Sequence, residues 1–67
     1  MSMCTVNGRE HELEDGETVA RLLERLGVPG SYALVERNRE PVDRSHYGEV
    51  HLAAGDRIIV ARPVAGG

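Results

Sequence analysis

Lysine, tryptophan and phenylalanine are absent from this 67-residue sequence, and cysteine occurs once, as Cys4. All eight basic residues are arginine, so no lysine side chain is available to accept an isopeptide bond. Lysine-directed conjugation onto the chain is excluded, while conjugation from its own carboxyl end is not. With no Trp or Phe and 40% apolar residues, any core must be aliphatic. A single cysteine excludes an internal disulfide and fits a reducing cytoplasm. Apolar runs fall far short of the ~20 residues a spanning helix needs, and the opening residues lack the basic-then-apolar pattern of a secretion signal. The net charge of −3 argues against nucleic acid as a partner, since phosphate binding needs a basic surface. What is left is one small cytoplasmic domain with no membrane association and a thin margin of stability. Its 28% charged residues favour a monomer when free.

Cys4 and Val6 alternate with Met3 and Thr5 in a first strand over residues 1–6. Asn7-Gly8 follows as a hairpin signal, because both central residues of a type I′ turn need positive φ. Arg9 to Leu13 returns as a polar strand suited to a sheet edge. Asp15-Gly16 breaks it, and Thr18 caps a helix whose Val19, Leu22, Leu23 and Leu26 form one apolar stripe, leaving Arg21, Glu24 and Arg25 toward water. Glu17 lies near the positive end of that helix; with Glu10, Glu12, Glu14 and Asp15 it forms an acidic run read as a solvated edge. Gly27 supplies a left-handed cap and Pro29 prevents continuation.

A third strand is expected over residues 31–37. Its apolar run Tyr32-Ala33-Leu34-Val35 leaves open whether Leu34 or Val35 faces the core. Asn38-Arg39 reads as a turn, residues 40–42 as a short edge strand, and residues 43–47 as an irregular or single-turn segment. Val50 and Leu52 tuck the next connection onto the core. The last strand, over 57–62, turns Ile58 and Val60 inward and Ile59 outward, and its apolar character places it centrally beside the first. Together these elements predict an α+β fold of the ubiquitin-like β-grasp type. It has a mixed sheet of four or five strands, one main helix on one face, and a flexible C-terminal tail. Residues 1–62 make the domain and residues 63–67 the tail.

That tail reads Pro63-Val64-Ala65-Gly66-Gly67. Pro63 cannot donate to a sheet ladder, and the residues after it carry little or no side chain. Five extended residues reach at most about 17 Å, enough to bring a carboxylate into another protein's active site. Two glycines pass a channel too narrow for any other residue. On its own, a Gly-Gly end is equally what an ordinary frayed terminus looks like.

Further residues join this pattern: Asn7-Gly8 after the opening strand, Asp15-Gly16-Glu17-Thr18-Val19, Leu22-Leu23, Leu26-Gly27, Glu36-Arg37-Asn38, Arg44-Ser45, Tyr47 and Gly55-Asp56-Arg57-Ile58. In order, spacing and total length, with Gly66-Gly67 at the end, the sequence resembles the ThiS family, the sulfur carriers of thiamin biosynthesis. It departs from many of those relatives at Arg39, where they have Gly, and at Asp43, where they have Pro. The final five residues also resemble MoaD, the sulfur-carrying subunit of molybdopterin synthase, whose members are usually longer.

The resemblance implies a carrier with no catalytic residues, no metal and no bound cofactor. A ThiF-like adenylyltransferase would use ATP and magnesium to adenylate the Gly67 carboxylate. A persulfide donor would turn it into a thiocarboxylate, and a ThiG-like thiazole synthase would take the sulfur. Gly66, Ala65 and Val64 would then occupy the partner's channel. Ile59, with Leu34 or Tyr32, forms a candidate docking patch, against the plainer reading that single exposed apolar residues are ordinary. Cys4 reads as core rather than as a relay thiol. His11, His46 and His51 read as solvated surface residues, and so does Arg62. Two alternatives stay open: a carrier serving molybdopterin or another sulfur-containing metabolite, and a ubiquitin-like modifier joined through Gly67 to lysines of other proteins.

Overall fold

The computed structural model describes residues 2–62; Met1 and the tail residues Pro63, Val64, Ala65, Gly66 and Gly67 lie outside the described residues. Two tight turns set the registers of the outer strand pairs. Asn7 and Gly8, with φ of 53° and 84°, join β1 (Met3–Val6) to β2 (Arg9–Glu12). Asn38 and Arg39, with φ of 52° and 71°, join β3 (Leu34–Arg37) to β4 (Glu40–Val42). Positive φ at both central positions matches the turn to the right-handed twist of the strands it connects. β5 (Arg57–Ala61) then inserts between the hairpins, giving a five-stranded sheet in the order β2-β1-β5-β3-β4. It runs parallel to β1 and antiparallel to β3. The expected mixed sheet, polar edge strand and central last strand are all present.

One helix, α1 (Val19–Leu26), covers one face. Val19, Leu22 and Leu23 pack there against Cys4, Val6, Val35 and Ile58 from the three inner strands. Thr18 caps the helix as predicted, its Oγ1 accepting from the Arg21 N–H at 3.2 Å. Two further free N–H groups of the first turn find partners in the loop after β4. Val19 donates to the Val50 carbonyl and Ala20 to that of Tyr47. At the other end Gly27 adopts the left-handed conformation and Val28 N–H donates to the Leu23 carbonyl, closing the helix.

The structure resolves the open face assignment: Val35 is buried and Leu34 is 54% exposed. It also shortens four strands: β1 starts at Met3 and β2 ends at Glu12. β3 starts at Leu34, because Ser31 and Tyr32 belong to a turn after Pro29; β5 ends at Ala61. Leu26 completes the helical period but not the core. In the last turn, where the chain departs through Gly27, it is 37% exposed and lines an open groove with Val28. Tyr47 ends the 3₁₀ turn Arg44–His46 and is buried, donating its hydroxyl to the Ala33 carbonyl at 2.7 Å. Among the described residues no helix is long and apolar enough to cross a membrane.

Arg39 carries a side chain at a left-handed position where glycine is at no disadvantage, and that side chain is exposed. Arg39→Gly should therefore raise unfolding stability by about 1 kcal/mol, less the added entropy of the unfolded chain. Urea denaturation checks this. A loss of stability would mean that the arginine holds the hairpin through its side chain.

Candidate functional site

β3 and β5, with β4 at the edge beside them, present an open surface on the side away from α1. Leu34 is opposite Ala61 and Glu36 is opposite both Ile59 and Pro41, so these five side chains share one face. They line a shallow depression of about 270 Å³. Leu34 and Ile59 are 54% and 39% exposed, more than isolated contact with neighbours would leave if they were packed. Two of the three docking residues expected from sequence thus lie together. Tyr32 is 48% exposed but belongs to the turn before β3 and does not line the depression. Arg62 directly follows β5 and is exposed. The remaining expected site residues, Val64, Ala65, Gly66 and Gly67, lie outside the described residues.

The end of β5 is held from the β1 side by a side chain. β1 leaves the sheet at Asn7, whose backbone N–H still donates to the Ile58 carbonyl at 2.9 Å. Beyond it the Asn7 carboxamide takes over. Oδ1 accepts from the Val60 N–H at 2.9 Å and Nδ2 donates to the Val60 carbonyl at 3.1 Å.

The start of β5 is held by a buried carboxylate. Asp56 is 7% exposed and accepts from Ala53 N–H, Arg37 Nε and Asn38 Nδ2 at 2.8 to 3.0 Å. Asn38 Oδ1 in turn accepts from Arg57 N–H. Burial opposes ionisation of Asp56, but the hydrogen bonds from Ala53, Asn38 and Arg37 outweigh it and hold the carboxyl below its ordinary range. Sequence alone assigned Asp56 no bonding role of its own. An aspartate bonding back to the N–H three residues earlier is the local signal that was available.

Three sequence readings require correction. Glu17 is not part of a solvated acidic edge: it is 3% exposed, and its carboxylate receives Arg25 Nη1 at 2.6 and 2.7 Å and the Glu14 N–H at 2.9 Å. Arg25 accordingly does not simply face water; its guanidinium folds back along α1 to Glu17 and the Glu12 carbonyl, and this pairing raises its pKa. Glu17 precedes the cap Thr18 and lies outside α1, so helical i, i+4 spacing does not reveal the pair. His46 and His51 are exposed as expected, whereas His11 is half-buried. It sits opposite Cys4 on the helix side of β2, and its Nε2 is out of solvent without a hydrogen-bond partner. Cys4 is core, 2% exposed; burial, then the negative charges of Glu17 and Asp56, push its thiol pKa up.

Because the folded-state pKa of Asp56 is depressed, its stabilisation is complete above the unfolded value of about 3.8 and is lost as pH falls through the folded value. Asp56→Ala should cost about 2 kcal/mol at pH 7, by orphaning the Ala53, Asn38 and Arg37 donors, and should flatten the acid limb of the stability profile. Denaturation at a series of pH values reads both effects. An unchanged acid limb would assign acid lability to other carboxylates.

The comparisons with known proteins agree with this architecture. The family model described as the ThiS family matches residues 3–67. The crystal structure of a thiamine biosynthesis protein (ThiS) from Geobacter metallireducens superposes with a TM-score of 0.79 at 29% identity, covering 97% of this chain and 99% of that one. A solution structure of a thiamine biosynthesis protein from the same organism gives 0.77 at 29% identity, covering 97% and 87%. Two thiazole synthases match over 62 residues, one from Magnetococcus marinus at 40% identity and one from Paramagnetospirillum magneticum at 37%. The match covers 92% of this chain but only 19% of either synthase, so the chain spans about a fifth of the length of these relatives. With a family match running from β1 to Gly67 and the same fold in a solved relative, the chain belongs to the ThiS family.

Proposed function

We propose that this chain is a sulfur carrier of thiamin biosynthesis, with the Gly67 carboxyl group as the atom of cargo attachment. The observation that carries the reading is the extent of the family match, which continues past the folded strand through Gly66 and Gly67. A carboxylate is a poor electrophile, because its charge is delocalised and repels nucleophiles. An activating enzyme of the adenylyltransferase class, using ATP and magnesium, joins it to AMP and releases pyrophosphate. A persulfide sulfur then attacks the acyl carbon and AMP leaves. Reduction of the resulting acyl persulfide by a thiol breaks the S–S bond and frees the thiocarboxylate. The sulfur passes next to a thiazole synthase. Support for that partner comes from the two relatives named thiazole synthase, each of which contains a stretch similar to this chain. In this scheme the carrier is a co-substrate and its partners are the catalysts.

The open face of β3 and β5 is the proposed docking surface for the activating enzyme, with Leu34 and Ile59 as its apolar contacts. It adjoins Arg62, from which residues 63–67 continue.

Intact-mass measurement after incubation with ATP, magnesium, a sulfide source and a ThiF-type enzyme should show one oxygen replaced by sulfur, localised to Gly67. Higher-mass adducts on lysines of other proteins would favour the modifier reading instead. No mass change with an enzyme active on its own carrier would overturn the assignment.

Ile59→Asp should fold, since Ile59 is on the open face, and should lower kcat/KM for activation at least about tenfold through loss of an apolar contact. Normal activation of the folded variant would remove this face from the docking surface.

A further inference from the structure

Asn7 has two roles in this fold, and only one of them is the turn. Its left-handed backbone begins the β1–β2 hairpin, a role that glycine or aspartate could also fill. The second role follows from the orientation of β5. Peptide groups along a strand alternate between its two neighbours. Arg57 N–H and C=O both bond Asn38, on the β3 side, while the Ile58 carbonyl bonds Asn7 N–H on the β1 side. Val60 therefore turns both its N–H and its C=O toward β1, at a level where β1 has already turned away. The Asn7 carboxamide, with one acceptor and one donor, fills that place as a peptide group would.

We infer that Asn7 is a positioning residue for the C-terminal arm: its carboxamide acts as one further residue of β1, pinning Val60 so that the chain leaves two-sided support only at Arg62. The inference rests on the carrier reading for its functional consequence, but the pinning itself does not. If Val60 opens on the β1 side, an activating enzyme meets the correct strand end in only a fraction of the molecules, and apparent binding weakens by that fraction. The reaction of a bound, correctly formed complex is unaffected. KM should rise while kcat stays the same.

Asn7→Gly tests this directly, because glycine keeps the left-handed turn and removes both carboxamide bonds. Amide hydrogen exchange should accelerate about tenfold or more at Val60, while Ile59 and Ala61, whose peptide groups face β3, change little. KM for activation should rise about fivefold with kcat unchanged. Asn7→Asp keeps the turn and the acceptor for Val60 N–H but sets a negative oxygen against the Val60 carbonyl, so it should not restore the wild-type KM at pH 7. A purely structural asparagine predicts something else: uniform loss of protection across the sheet in Asn7→Gly, and full rescue by Asn7→Asp. Unchanged exchange at Val60 would overturn the pinning, and accelerated exchange with an unchanged KM would overturn the positioning role. If the wild-type chain itself were not activated, the carrier reading would fail, and exchange at Val60 would still decide the pinning.

Discussion

The pairing of β1 with β5 is the contact on which the rest of the structure depends. Only two residue pairs define its register, Thr5 with Arg57 and Val6 with Ile58, yet they join the two ends of the described chain. Parallel strands cannot be linked by a tight turn; they require a long crossover. Almost everything between Asn7 and Asp56 can be understood as that crossover. It returns along the β2 edge, crosses one face as α1, forms the β3–β4 hairpin, and then delivers β5 between the two halves. Ile58, fully buried, fixes the centre of this arrangement against Val6 and the helix. β5, paired with β1 at Arg57 and Ile58 and with β3 from Ile58 to Ala61, cannot shift register without breaking two ladders.

A core without Trp or Phe leaves little apolar area to hold such a long crossover, and two buried carboxylates do part of the work. Glu17 ties the loop before α1 to the helix's last turn through Arg25. Asp56 ties the β3–β4 turn to the start of β5. Each is surrounded by donors, which is the condition under which a buried charge is tolerated. Both lie near Cys4 and both oppose its ionisation. A thiol that is buried and disfavoured as a thiolate is poorly suited to receiving sulfur. In the proposed carrier role this leaves the chemistry to the carboxyl end and not to the lone cysteine.

The elements specified by short-range signals were legible in the sequence. Asn7-Gly8, Thr18, the Val19–Leu22–Leu23 stripe, Gly27 and the short β4 all act through neighbours within a few positions. The central placement of β5 followed from its apolar run. Less was available for side chains whose role depends on a partner far along the chain. Asn7 was read as a turn residue, but its carboxamide partner, Val60, is 53 positions away. Asp56 and Asn38 are separated by 18. Alternation could not orient Tyr32-Ala33-Leu34-Val35 because four apolar residues in succession fit either face. The acidic run misled for a related reason: composition marks such a run as solvated, while a single member, Glu17, is drawn inward by Arg25.

β5 keeps folding and recognition apart by using alternate residues. Ile58 and Val60 point toward α1, where a polar substitution would open the core. Ile59 and Ala61 point to the opposite side, where Leu34, Glu36 and Pro41 complete an open surface. The peptide groups divide the same way, toward β1 and Asn7 from Ile58 and Val60, and toward β3 from Arg57, Ile59 and Ala61. Changes to the outer set can alter what the protein binds while leaving the inner set to hold the strand. A carrier of the kind proposed, with Gly67 as the reactive residue, has use for this separation. In the role proposed for it, an activating enzyme would read the face of β5 that carries Ile59, while α1 covers the face that carries Ile58.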